Sequence, residues 1–162
     1  MTDFITPKIS VLVPIYNVDQ YLKECLDSIV SQTFTNFEVI CINDGSTDNS
    51  RQIIQEYIDI DKRFKVIDKS NSGYGASMNQ GLKAAIGEYI AILESDDFFQ
   101  PTALQDLYFA ASTNNADVAK ADFCLYWSIP TKRSERFNWV RDGEAGVTTP
   151  LKSVQVFYRK PS

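Results

Sequence analysis

Four short stretches carry residues whose types and spacing could do chemistry. Pro14, Tyr16 and Asn17 follow an apolar run, and Asn43-Asp44-Gly45-Ser46-Thr47-Asp48 stands about 30 residues on. Asn71-Ser72-Gly73-Tyr74-Gly75 comes next, and Glu94-Ser95-Asp96-Asp97 closes the series. The sequence contains no histidine, so imidazole bases and His-ligated metals are excluded within it. Three carboxylates in four residues at 94–97 repel one another if they converge, each pKa unit of that conflict costing about 1.4 kcal/mol. A hard divalent cation, Mg²⁺ or Mn²⁺, resolves it, because such ions bind through one or two carboxylates plus the phosphates of a ligand. The same residues also describe a solvated acidic loop facing a positive helix N-terminus.

The second stretch admits two readings as well. A strand-to-helix turn needs Gly45 for its backbone angle and Thr47 or Asp48 as a cap, but it does not need Asp44. The third stretch lacks the lysine of a P-loop and the spacing of a dinucleotide fingerprint, so alone it is a glycine-bearing loop.

The elements between these stretches set where they lie. Ile9–Pro14 is β-branched, bounded by proline, and predicts a buried strand. Leu22, Cys25, Leu26, Ile29 and Val30 recur at helical spacing and predict a helix over 18–32. Strands at 37–43, 64–68, 88–93 and 117–125 alternate with helices at 48–58, 76–86 and 101–113, with Gly87 read as a helix C-cap and Pro101 as a first helical residue. Such alternation predicts an α/β fold, a mostly parallel, Rossmann-like sheet with helices on both faces. Ligands of these sheets bind beyond the carboxyl ends of the strands, which is where all four polar stretches fall. From Ser128 onward the pattern is irregular, with one or two short strands expected.

Composition narrows the function. The chain of 162 residues is 44% hydrophobic with a net charge of −5, enough apolar material for one core and too acidic for a general nucleic-acid binder. Residues 1–100 hold eight basic and fifteen acidic side chains, whereas 101–162 hold eight and six. Cys25, Cys41 and Cys124 have neither zinc nor disulfide spacing and are expected as buried thiols. No signal peptide or membrane span is legible, so the expected location is the cytoplasm or the inner face of the membrane.

In their order, V-P-x-Y-N, NDGSTDNS, NSGYGASMNQGL and GEYIAILESDD followed by x-x-x-P resemble the family 2 glycosyltransferases of the GT-A fold, over about residues 8–125. The resemblance implies an inverting, metal-dependent transfer of a sugar from a nucleotide-diphosphate sugar, commonly UDP-linked, to a hydroxyl acceptor. That acceptor would be a glycan or lipid-linked molecule of cell-surface polysaccharide or glycoconjugate synthesis. It implies donor binding by Pro14, Tyr16, Asn17, Asp44, Asn71, Gly73, Glu94 and Ser95. Asp96 and Asp97 would hold Mn²⁺ or Mg²⁺, and Asp97 would also lie at the reacting sugar. Two positions depart from the family pattern: Glu94 replaces the usual Asp, and Met78 stands where many relatives carry Arg.

The family's general base lies downstream of the acidic motif, and Asp122, Glu135, Asp142 and Glu144 match no motif for it. Residues 1–125 are therefore expected to be the nucleotide-sugar core and 126–162 the truncated start of an acceptor-side segment, with the base beyond Ser162. A non-catalytic nucleotide-sugar-binding module is the alternative. A phosphoacceptor domain ranks below both, because it needs carboxylates at the end of the first strand. The tail from Lys120, with eight basic side chains against four acidic and two tryptophans, is a solvated surface or a peripheral membrane contact.

Overall fold

The run ISVLVPI can sit only in the middle of a sheet, because all seven of its residues are apolar or small and all are buried. It forms β1 (Ile9–Ile15) of a computed structural model that describes residues 6–121, 123–127, 133–137 and 156–160. There follow α1 (Asp19–Val30), β2 (Phe37–Asp44), α2 (Ser50–Ile60), β3 (Phe64–Lys69), α3 (Tyr74–Ala84), β4 (Tyr89–Ile92) and α4 (Ala103–Thr113). The last strands are β5 (Val118–Lys120), β6 (Phe123–Trp127), β7 (Arg133–Phe137) and β8 (Val156–Arg159).

The main sheet has the order β3-β2-β1-β4-β8-β5, and β1 to β4 run parallel. β8 enters antiparallel between β4 and β5, while β6 and β7 form a separate antiparallel pair. The alternation of side chains along β1 splits the core in two. Ile9, Val11, Val13 and Ile15 face the layer that holds Leu22, Leu26 and Ile29 of α1, Ile54 of α2 and Leu104 and Leu107 of α4. Leu12 faces the other layer, with Ile40, Ile42 and Met78 of α3. Each fully buried Ile or Leu contributes about 1.5–3 kcal/mol. The fold is the expected α/β, mostly parallel sheet, covered on both faces.

Several expected boundaries move, each for a packing reason. α3 starts at Tyr74 and ends at Ala84, and Gly87 is not its cap: Ala85 already leaves in extended conformation. Gly87 instead lies flat on β1, where an added Cβ would sit 2.5 Å from the Ser10 nitrogen. Pro101 sits in the turn before α4, which begins at Ala103. The single strand expected over 117–125 is two, β5 and β6, which belong to different sheets. Phe157 of β8 is fully buried and stacks on Tyr89 at 4.7 Å, so this part of the tail closes the main core. Cys25 and Cys41 are buried free thiols, and burial pushes Cys41 up to about 12, too high for a thiolate nucleophile. The Cys124 side chain lies outside the described residues.

At the amino ends of the strands, a buried carboxylate ties four segments together. Glu38 accepts from Ser10 Oγ at 2.6 Å, Lys65 Nζ at 2.8 Å and the Ile86 amide at 2.9 Å, and Ser10 Oγ accepts from the Gly87 amide at 2.8 Å. Burial works to raise its pKa, but these donors outweigh burial and hold the carboxyl below the usual range. A depressed folded-state pKa contributes stability that is present above the unfolded value and lost as pH falls through the folded one. Glu38→Gln should therefore lower stability near neutral pH by about 1–3 kcal/mol and shrink the loss of Tm on acidification. A Tm–pH curve superimposable on wild type would contradict this.

Candidate functional site

Between β3 and β4 the chain crosses back past β2 and β1. β1 is followed by β2 on one side and β4 lies on the other, so the β1/β4 boundary is the switch point where such sheets open a crevice. Pro14 helps open it. The Leu12 carbonyl accepts from the Leu93 amide on the β4 side, and two residues on the strand return to the same side. The Pro14 nitrogen therefore faces β4 and has no hydrogen to donate. The β1–β4 ladder ends at Leu12–Ile92, while β1 and β2 stay paired to Ile15–Asn43.

Beyond this point lies a cleft of about 390 Å³. Pro14, Tyr16, Asp44, Asn71, Gly73, Glu94 and Ser95 line it, seven of the residues singled out from the sequence. Asn17, Asp96 and Asp97 do not line it. Ile15, Val18, Tyr74 and Ser77 also line it and were not singled out. Tyr16 is half exposed and presents its ring to the opening. Of these additions Tyr74 was the most legible, as the one large side chain in the Asn71–Gly75 stretch.

Asp44 organises the floor. Its side chain is 7% exposed and ion-paired with Lys69, the residue directly opposite on β3. Its Oδ1 also accepts from the Ser72 amide and its Oδ2 from the Gly73 amide, both at 2.9 Å. Burial pushes its pKa up, but Lys69 and the two amides more than offset that, and the carboxyl is held below its usual range. Gly45, at φ +72°, makes the turn possible: an added Cβ would lie 2.8 Å from the Asn71 nitrogen. The β2–α2 and β3–α3 loops therefore touch.

Asn17 has the left-handed backbone, φ 51°, that Asn tolerates better than most residues. Its Oδ1 accepts from the Thr47 amide at 2.8 Å and its own amide donates to Ser46 Oγ at 3.2 Å. Its side chain thus braces the 46–48 turn rather than facing the cleft. Asp48, expected as the cap of α2, stands one residue before the N-cap position, which is Asn49, and its carboxylate accepts from the Ser50 amide at 2.9 Å and from the Asp19 amide at 3.0 Å. One carboxylate serves the first turns of both α1 and α2.

On the opposite wall Glu94 Oε1 accepts from the Tyr74 hydroxyl at 2.7 Å, joining the acidic stretch to the start of α3. Glu94, one of the two departures from the family pattern, thus bonds to a residue of the cleft lining. Met78, the other departure, is buried against Leu12, Ile40 and Ile42. Asp96 and Asp97 are exposed in the turn that follows Ser95. Removal from bulk water, and then the charges of Asp96 and Glu94, push the Asp97 carboxyl above its usual range.

The described residues hold no cluster of three or more potential ligands around one point. Two neighbouring carboxylates next to an open cleft still fit a Mg²⁺- or Mn²⁺-type ion whose remaining ligands are phosphates, and such an ion would relieve the Asp97 conflict. Of the candidate bases, Asp122, Asp142, Glu144 and the Glu135 side chain lie outside the described residues.

The putative glycosyltransferase EpsH of Bacillus subtilis is 49% identical over 96 residues, covering 59% of this chain and 28% of that protein. The poly(ribitol-phosphate) beta-glucosyltransferase of Bacillus spizizenii is 38% identical over 115 residues, 68% of this chain and 18% of that one. The crystal structure of Staphylococcus aureus TarS 1–349 in complex with UDP-GlcNAc superimposes with a TM-score of 0.66 at 36% identity, over 72% of this chain and 34% of that one. The chain spans between 17% and 40% of the length of the curated relatives it matches. The model of glycosyl transferase family 2 matches residues 10–142. That match takes in all four polar stretches and the switch-point crevice they surround, and the chain, with its GT-A fold, belongs to glycosyltransferase family 2.

Proposed function

We propose that this chain is the donor-binding part of an inverting, metal-assisted glycosyltransferase. It would move a sugar from a uridine-diphosphate donor to a hydroxyl of a glycan or lipid-linked acceptor in cell-surface polysaccharide or glycoconjugate synthesis. One observation carries the reading: one cleft at the switch point brings together an aromatic ring, Tyr16, the buried carboxylate of Asp44, and Glu94 and Ser95 at the start of the acidic stretch. The similarity to TarS, whose structure holds UDP-GlcNAc, and to a poly(ribitol-phosphate) glucosyltransferase supports the donor and acceptor classes.

The residues divide the work by position. Tyr16 offers its half-exposed ring as a stacking surface for the base. Asp44 accepts the imide N–H of uracil. Asn71 and Gly73 shape the wall beside the base, and Glu94 and Ser95 lie where the ribose would pass. Asp96 and Asp97 would hold Mn²⁺ or Mg²⁺ on the diphosphate, and the ion would stabilise negative charge on the leaving group. Asp97, whose carboxyl is held above its usual range, would lie at the reacting sugar. Inversion needs a carboxylate to take the acceptor proton, and we assign this base to the acceptor-side part of the protein. Among the described residues no helix is long and apolar enough to cross a membrane; an acceptor carried on lipid would meet the protein at the inner membrane face.

Thermal-shift measurements on a panel of UDP-, GDP- and dTDP-sugars, each with and without Mn²⁺, test the donor class. UDP-sugars should raise Tm most, and more with the ion; at a ligand concentration of 100 times Kd the gain is about 2.7 kcal/mol. A panel in which no donor moves Tm would contradict the proposal.

A further inference from the structure

The ion pair at the cleft floor limits what Asp44 can still bind. A carboxylate offers about four acceptor positions, two on each oxygen. Oδ1 receives the Lys69 ammonium and the Ser72 amide, and Oδ2 receives the Gly73 amide. One position on Oδ2 remains for a molecule in the cleft. Lys69 is itself only 8% exposed, and its Nζ lies 3.4 Å from Ser77 Oγ, a residue of the cleft lining, so the fold holds it in place beside Asp44. With one free position, Asp44 can serve a base edge that presents one N–H between carbonyls. It cannot serve guanine's adjacent ring and exocyclic N–H groups, which need both oxygens of one carboxylate.

We propose that Lys69 is a positioning residue that makes this cleft select uracil over guanine, by occupying Oδ1 of Asp44 and keeping that carboxylate charged. The inference rests on the nucleotide-sugar reading above and adds to it the residue that sets base choice. Removing the ammonium should have two effects. It returns an acceptor position to Oδ1, which guanine can use and uracil cannot. It also leaves a buried carboxylate bonded to the Ser72 and Gly73 amides, in a cleft lined by Ser77 and Tyr74 of α3, Tyr16 after β1 and Glu94 after β4. None of these is a cation, so Asp44 would take up a proton more readily.

Calorimetric titration of UDP and GDP into the full chain with Mn²⁺, wild type against Lys69→Met, at about pH 8 and about pH 5.5, tests this. Wild type should prefer UDP at both pH values, and its own change in UDP affinity between them, which includes titration of the UDP phosphate, is the reference. Lys69→Met should narrow the UDP-to-GDP preference about tenfold, the value of one hydrogen bond to a charged group, and should lose more UDP affinity than wild type does at the lower pH. Lys69→Arg, which keeps a cationic donor, should restore both properties. A Lys69→Met protein with unchanged preference and the pH profile of wild type would overturn the inference while leaving UDP binding intact. Wild type binding GDP as tightly as UDP would overturn it even if Lys69→Met fails to fold. Wild type binding neither nucleotide would overturn the donor reading itself, and this inference with it.

Discussion

Asp96→Asn is expected to lower the rate of donor turnover by about 10²–10³-fold, the range seen when one group stabilising a developing negative charge is removed. The fold should be untouched. Among the described residues the Asp96 side chain makes no hydrogen bond or ion pair, and it is exposed, so its loss opens no cavity and strands no partner. The change keeps the shape of the side chain and deletes one charge. Turnover should therefore fall while Tm moves by less than the equivalent of about 0.5 kcal/mol, the usual range for surface substitutions. Asp44→Asn would be a poorer probe, because Asp44 also holds Lys69 and the Ser72 and Gly73 amides. Activity retained in Asp96→Asn would remove Asp96 from the reaction.

The second large effect concerns the sheet. Gly87→Ala should destabilise the protein by about 3 kcal/mol or more. The new Cβ would lie 2.5 Å from the Ser10 nitrogen and 2.7 Å from the Ile9 carbonyl carbon, and both are backbone atoms of the central strand. A flexible side chain could swing aside; β1, paired on both edges, cannot. Gly75→Ala is the control. It lies in α3 with nothing within 4 Å of the added carbon, and should be neutral or stabilise by up to about 1 kcal/mol. Denaturant midpoints for the two variants measure the contrast, and equal midpoints would show that Gly87 is not a close-approach position.

Much of the fold was legible because the strands are made of β-branched runs and the helices keep an apolar face at 3.6-residue spacing. Once the alternation implies a parallel sheet, the strand-end rule draws together residues as distant as Tyr16 and Glu94. What escaped was tertiary. The pairing of Lys69 with Asp44 follows from the β2–β3 register, Asp44 opposite Lys69 and Asn43 opposite Asp68, and local pattern does not state register. Gly87 looked like a helix cap because caps and close approaches both select glycine. The bond from the Thr47 amide to Asn17 Oδ1 is likewise tertiary, joining residues 30 apart in the chain. The place of β8 between β4 and β5 was hidden for another reason: antiparallel insertion from about 65 residues away leaves no periodic trace.

The acidity of the first hundred residues also has a physical place. Several of these carboxylates are engaged within the fold: Glu38 at the amino ends of the strands, Asp44 on the cleft floor, Asp48 at two helix starts. The exposed pair Asp96 and Asp97 differs from them, since their nearest charged neighbours in the chain are acids and Asp97 holds its proton more tightly than usual. A phosphate-bearing ligand would be repelled there unless a cation accompanied it. Metal and donor are therefore expected to bind together, each weakly without the other.

Isothermal titration of UDP-GlcNAc into the full chain, with Mn²⁺ and with chelator, tests that central claim most directly. The account predicts one site per chain, saturable in Mn²⁺, weakened at least about tenfold by chelation, a change of 1.4 kcal/mol, and weakened likewise by Asp96→Asn in the presence of the ion. No heat under any condition, or binding that is indifferent to both Mn²⁺ and Asp96, would contradict it.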